Sequence, residues 1–94
     1  KSSKRGGHAH KNLEQFIWCI QGCLEVSTIS SSSKHNTFKL NKANQGLYIP
    51  KLTWSYQIPK SDNTIYCVGA SDLYDESEYI RNWENFKQII NLLP

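Results

Sequence analysis

The sequence predicts an all-β domain closed by one C-terminal helix, and three observations carry that prediction. Apolar and polar residues alternate over most of the first 70 positions, clusters of Gly, Pro, Asn and Ser interrupt the alternation at short intervals, and the apolar period lengthens near the end. Strands at regular short spacing followed by one late helix argue an antiparallel sandwich or small barrel. The 94 residues are expected to make a single domain, 1–94, with a flexible start at 1–4, β structure over 5–70 and a helix over 75–92.

Each element has its own signal. "EQFIWCI" puts Phe16, Trp18 and Ile20 on one face, "QG" at 21 and 22 offers a turn, and "CLEVSTI" resumes, which together predict a hairpin. "SSSKHN", 31–36, has no apolar anchor and predicts a loop into a short strand "TFKL". "NQGLYIP" runs from a turn into a strand ended by Pro50. "TWSYQI" then alternates Trp54, Tyr56 and Ile58 with Thr53, Ser55 and Gln57. After the turn "PKSDN", the nearly continuous apolar run "TIYCVGA" predicts a central strand. In the tail, Tyr79, Ile80, Trp83, Phe86, Ile89, Ile90 and Leu93 recur at helical spacing, with Asp75, Glu76 and Glu78 in the expected first turn, where the helix dipole favours negative charge.

Composition narrows the function classes. No apolar run approaches the ~20 residues of a membrane span. The start, "KSSKRGG", is basic without the apolar stretch of a signal peptide, so a cytoplasmic protein is expected. Cys19, Cys23 and Cys67 form no CxxC pair and are an odd number, which predicts reduced thiols rather than a disulfide framework. Residues 1–60 carry nine Lys and Arg against Glu14 and Glu25, a net of +7, whereas residues 61–94 carry −4. That asymmetry suits an anionic partner, and it equally suits a solvated β surface. Nucleic acid is disfavoured, because the aromatics alternate as core positions and the lysines do not cluster with them.

The stretch "RGGHAHK" holds two of the three histidines. In an extended strand His8 and His10 point to one face, with Ala9 opposite. Two chemistries use such a pair: divalent-metal binding through neutral imidazole nitrogens, and proton transfer by groups with an unperturbed pKa near ~6.5. Glu14 would complete a 2-His-1-carboxylate set for a metal, but a fourth ligand is hard to find, since His35 sits in the serine-rich loop. Two surface imidazoles with no function are the third reading. Spacing alone leaves all three open.

"RGGHAHK", then "LEQ", "QG", "NQGLYIP", "TW" and "ASDLYDESEYIRNWENF", in that order and spacing, resemble the WxcM-like cupins, the thymidine-diphosphate 4-keto-6-deoxyhexose 3,4-ketoisomerases. The resemblance runs from Arg5 to about Phe86, and "RGGHAHK" and "YDESEYIR" are its most specific parts. It implies an all-β cupin, a double-stranded β-helix or jelly-roll barrel. It also implies dimers, a nucleotide-linked sugar as substrate, and movement of a carbonyl from C4 to C3 without metal or organic cofactor. Under that resemblance His8 and His10 are the catalytic pair, one the base and the other a proton donor or carbonyl polariser, their order open. Arg5 matches the motif arginine and suits diphosphate or sugar oxygens, because a guanidinium binds two oxygens at once. Lys11 matches the motif lysine, Tyr48 lies in the matching "GLYIP" stretch, and Trp54 matches a tryptophan that walls the pocket or fills the core. Tyr74, Asp75 and Glu76 match the family's ending and read as capping and packing residues.

Family members carry several strands ahead of the histidine motif, with a pocket tyrosine among them, whereas this sequence begins four residues before Arg5. An open sheet edge is therefore expected to associate, as a homodimer or through the edge strand. Three functions follow: a ketoisomerase, active or degenerate; a non-catalytic nucleotide-sugar or carbohydrate binding domain; and a metal-dependent cupin using His8, His10 and Glu14.

Overall fold

A computed structural model of the chain describes residues 5–93, with residues 5 and 6 described by their backbone alone. The expected flexible segment 1–4 and the side chain of Arg5 lie outside the described residues. In chain order the elements are β1 (Arg5–His10), β2 (Gln15–Gln21), β3 (Leu24–Ile29), β4 (His35–Leu40), β5 (Gly46–Ile49), β6 (Trp54–Pro59), β7 (Ile65–Ala70), a 3-10 turn (Glu76–Glu78), β8 (Tyr79–Ile80) and α1 (Trp83–Asn91). They form a five-stranded sheet, β4-β3-β6-β1-β8, facing a three-stranded sheet, β5-β2-β7. The strand pairs are antiparallel.

Between the sheets lies one apolar cluster, Ile17, Cys19, Leu24, Val26, Leu40 and Ile49. A second lies on the outer side of the large sheet, where Ala9, Ile29, Trp54 and Ile80 meet Phe86 and Ile90 of α1. The helix has only nine residues, too few to persist alone. Packing holds it: Phe86 is fully buried, which contributes about 1.5–3 kcal/mol. Asn82 caps it by accepting a hydrogen bond from the Asn85 amide at 3.0 Å. Among the described residues no helix is long and apolar enough to cross a membrane.

Three expectations change. The strands of "EQFIWCI" and "CLEVSTI" do not form a hairpin: β2 pairs with β5 and β7, while β3 pairs with β4 and β6. Gly22, at φ +83°, turns the chain from one sheet into the other. On β2 the inward face is Gln15, Ile17 and Cys19, and the larger Phe16 and Ile20 point out and are exposed. Both faces of this strand are apolar, so alternation alone left the inward one undetermined. "TIYCVGA" forms an edge strand rather than a central one, with Ile65 and Val68 exposed. Finally, the helix begins at Trp83, not 75. Asp75 caps the 3-10 turn by accepting from the Ser77 amide, and Tyr79 and Ile80 pair with β1 as a strand.

Candidate active site

Strand β1 divides its side chains as alternation requires. Ala9 packs outward in the cluster beneath α1, while His8 and His10 share the opposite face, their rings edge to face with centroids 5.0 Å apart. The β1–β6 register shifts between Arg5 and His8, at the Gly6–Gly7 pair, so the strand bends where the histidines begin. Flanking strands supply the rest of this face. His8 stands across from Ser55 on β6, and Ser55 across from Thr28 on β3. His10 stands across from Tyr79 on β8. Ser55 and Gln57, the polar side of β6, are both buried.

His10 is 4% exposed and Ser55 1%. Among the described residues, neither ring nitrogen of His10 has a hydrogen-bond partner, and Ser55 Oγ has none either. Buried polar atoms are normally partnered, so these are atoms that a polar ligand or an ordered water would satisfy. With no partner fixing its tautomer, the His10 ring can present either a lone pair or an N–H. Burial pushes its pKa down, which favours the neutral ring; the Glu78 carboxylate opposes that shift and the Arg81 guanidinium adds to it. Glu78 in turn is held by three hydrogen bonds, accepting from the Asn12 amide (2.8 Å), Asn12 Nδ2 (3.0 Å) and the Leu13 amide (3.1 Å). Those bonds keep its carboxyl below the usual range and tie the β1–β2 loop to the 3-10 turn.

Other sequence-derived candidates lie elsewhere. Trp54 faces away from the histidines, 8% exposed against Trp83 and Phe86 at centroid distances of 5.3 and 5.7 Å, so it is a core residue under α1 and not a pocket wall. Tyr48 pairs with Phe16 on the outer side of the small sheet and is exposed. Glu14 shares a cleft of about 260 Å³ with Tyr48, Phe16, Gly69 and Ser71. No group of three or more His, Cys, Asp and Glu within metal-binding reach exists among the described residues, so Glu14 does not join His8 and His10 as a ligand. Lys11 is exposed in a groove beside α1 with Tyr79, Arg81, Asn85 and Gln88. Sequence reasoning missed Ser55, Thr28, Glu78 and Tyr79 as neighbours of the histidines. The polar side of "TWSYQI" was a usable signal for Ser55, whereas Tyr79 was hidden by a helical reading of its spacing.

The family model described as "FdtA: WxcM-like, C-terminal" matches residues 1–91. The chain belongs to that family. A curated relative of this WxcM-like chain is the TDP-4-oxo-6-deoxy-alpha-D-glucose-3,4-oxoisomerase of Aneurinibacillus thermoaerophilus, 37% identical over 86 residues, covering 92% of this chain and 61% of the relative. Among solved structures, the sugar 3,4-ketoisomerase QdtA of Thermoanaerobacterium thermosaccharolyticum in complex with TDP superposes with a TM-score of 0.90. It is 31% identical and covers 97% of this chain and 66% of that one. A histidine-to-asparagine mutant of the same protein, in complex with TDP-4-keto-6-deoxyglucose, matches with a TM-score of 0.90 at 30% identity, over 97% of this chain and 65% of that one. The WxcM-like chain thus spans less than two thirds of the length of these relatives. Its two sheets and C-terminal helix are a cupin fold.

Proposed function

We propose that this WxcM-like chain carries the catalytic face of a TDP-sugar 3,4-ketoisomerase, acting on a nucleotide-linked 4-keto-6-deoxy sugar with His8 and His10 as its acid and base. The observation that supports it most is the pairing of two imidazoles on one face, with both nitrogens of the buried His10 ring unpartnered among the described residues. The relatives named above, whose ligands include TDP and TDP-4-keto-6-deoxyglucose, support the substrate class.

The chemistry needs only proton transfers. One imidazole takes the proton from C3, the C3–H electron pair becomes the C3=C4 bond, and the C4 carbonyl oxygen receives a proton, giving an enediol. The enediol then loses its O3 proton and gains a proton at C4, leaving the carbonyl at C3. A neutral imidazole serves as base in the first half, and the imidazolium it becomes serves as acid in the second. Ser55 Oγ, buried across from His8 and unpartnered among the described residues, is assigned to the sugar, and Arg5 to the diphosphate by its charge. Turnover of TDP-4-keto-6-deoxyglucose to the 3-keto isomer, followed by NMR, tests the reading; tight TDP-sugar binding with no isomer formed would replace it with a binding domain.

The same reading includes pairing with a second copy. Exposed Phe16, Ile20 and Tyr48 on the outer side of the small sheet, together with the free edge of β7, support it. Light scattering is expected to give a dimer, and a strict monomer contradicts it.

A further inference from the structure

We propose that Tyr79 is a positioning residue for His10, and that Arg81, locked by Glu76, holds Tyr79 in place. Its kinetic consequence rests on the ketoisomerase reading; its structural consequence does not.

The need for such a residue follows from the bonding of His10. Neither ring nitrogen is tied to a protein group among the described residues, so hydrogen bonds do not set the ring's rotation. Its placement therefore depends on packing, and two neighbouring rings pack on it. Tyr79 is the nearer of the two, its centroid 4.4 Å from that of His10 against 5.0 Å for His8. It also touches His8, at 5.1 Å, and so spans the pair. A proton-transferring group displaced by about 1 Å can lose on the order of a hundredfold in rate, which makes ring placement a catalytic quantity.

Tyr79 is itself held from several sides. Its backbone is paired directly with that of His10 in the β1–β8 ladder, so the two side chains leave the sheet on one face together. The Arg81 guanidinium lies over the Tyr79 ring, 4.2 Å from its centroid. That guanidinium is fixed by a two-pronged pair with Glu76, Nε to Oε2 at 2.9 Å and Nη2 to Oε1 at 3.0 Å. The Tyr74 hydroxyl donates to Glu76 as well, and the Tyr74 ring packs on Tyr79 with centroids 5.4 Å apart. The acidic segment that reads as a helix start in the sequence is thus a clamp whose last member rests on His10.

An ordinary packing role predicts something different. Tyr79 belongs to neither apolar core cluster, whereas its neighbour Ile80 does, so removing the Tyr79 ring takes little from the core.

The test compares Tyr79→Phe, Tyr79→Leu and Arg81→Gln in the full chain, reading both the nuclear Overhauser contacts between the His8 and His10 ring protons, assigned by their loss in His10→Asn, and isomerisation of TDP-4-keto-6-deoxyglucose. Tyr79→Leu is expected to weaken those contacts and lower kcat by about ten- to a hundredfold with KM little changed. Tyr79→Phe, which keeps the ring, should restore both, and Arg81→Gln should fall between. Unchanged His8–His10 contacts in Tyr79→Leu overturn the proposal, as does a Tyr79→Phe variant as impaired as Tyr79→Leu. If the parent chain shows no isomerisation, the ketoisomerase reading fails and the His8–His10 contacts alone decide whether Tyr79 positions His10.

Discussion

Ala9 and His10 are neighbours in the chain and lie on opposite sides of the same sheet, Ala9 1% exposed under α1 and His10 4% exposed on the face that carries both imidazoles. One strand therefore anchors the helix with one residue and presents a histidine of the proposed catalytic pair with the next. Burial on that inner face lowers the histidine's pKa.

A pH dependence of stability follows. His10 titrates near its ordinary value of 6.5 when unfolded and lower when folded, so the unfolded chain binds the proton first. His10 thus costs no stability above about 6.5, and stability falls as pH drops from there through the folded value. Melting at pH 7.5 and 5.5 should show a larger drop in Tm for the parent chain than for His10→Gln; equal drops would contradict the shift.

The place of Trp54 separates packing from binding. Trp54→Ala should cost about 3–5 kcal/mol in denaturant unfolding, as deletion of a buried aromatic does. Trp54→Phe, which keeps an aromatic ring against Trp83 and Phe86, should leave substrate KM unchanged. A pocket wall would give the opposite, a raised KM with stability little altered.

Gly22 marks the crossing between sheets. An Ala there would adopt φ +83° and bring its Cβ to 2.8 Å from the Thr64 Cα. Gly22→Ala should therefore destabilise by at least about 1 kcal/mol, read as a lower denaturant midpoint. A neutral result would contradict the corner geometry.

Much of the fold was legible because local rules and tertiary demands agreed. The alternation of "TWSYQI" puts Trp54 and Tyr56 with the helix-side cluster and Ser55 and Gln57 on the histidine side, and "RGGHAHK" placed both imidazoles together as extended backbone dictates. Three features were not legible. On β2 both faces are apolar, so only the second sheet decides that Ile17 goes in and Phe16 out. Tyr79 and Ile80 fit a helical period by chance of spacing, but pairing with Ala9 and His10 satisfies their backbone as a strand. Likewise Tyr48 and Glu14 were grouped with the histidines in sequence, and only the split into two sheets separates them.

The clamp around Tyr79 has its own signature in acid. Two bonds from Arg81 and one from Tyr74 bring the Glu76 pKa down from 4.5 to about 2. A depressed carboxylate stabilises the folded state above its unfolded value, and that contribution is lost as pH falls from 4.5 toward 2. Carboxyl NMR titration should place the Glu76 midpoint near the lower value. A midpoint at the ordinary carboxylate position would mean that the Arg81 fork is not formed.

The most direct measurement is solvent exchange into the sugar. In heavy water, the chain with TDP-4-keto-6-deoxyglucose should yield the 3-keto isomer carrying deuterium at C4, and His8→Asn and His10→Asn should each slow that incorporation by about 10²–10⁴-fold. An unlabelled sugar after prolonged incubation with ligand bound, or full exchange in both variants, would contradict the assignment of proton transfer to this histidine pair.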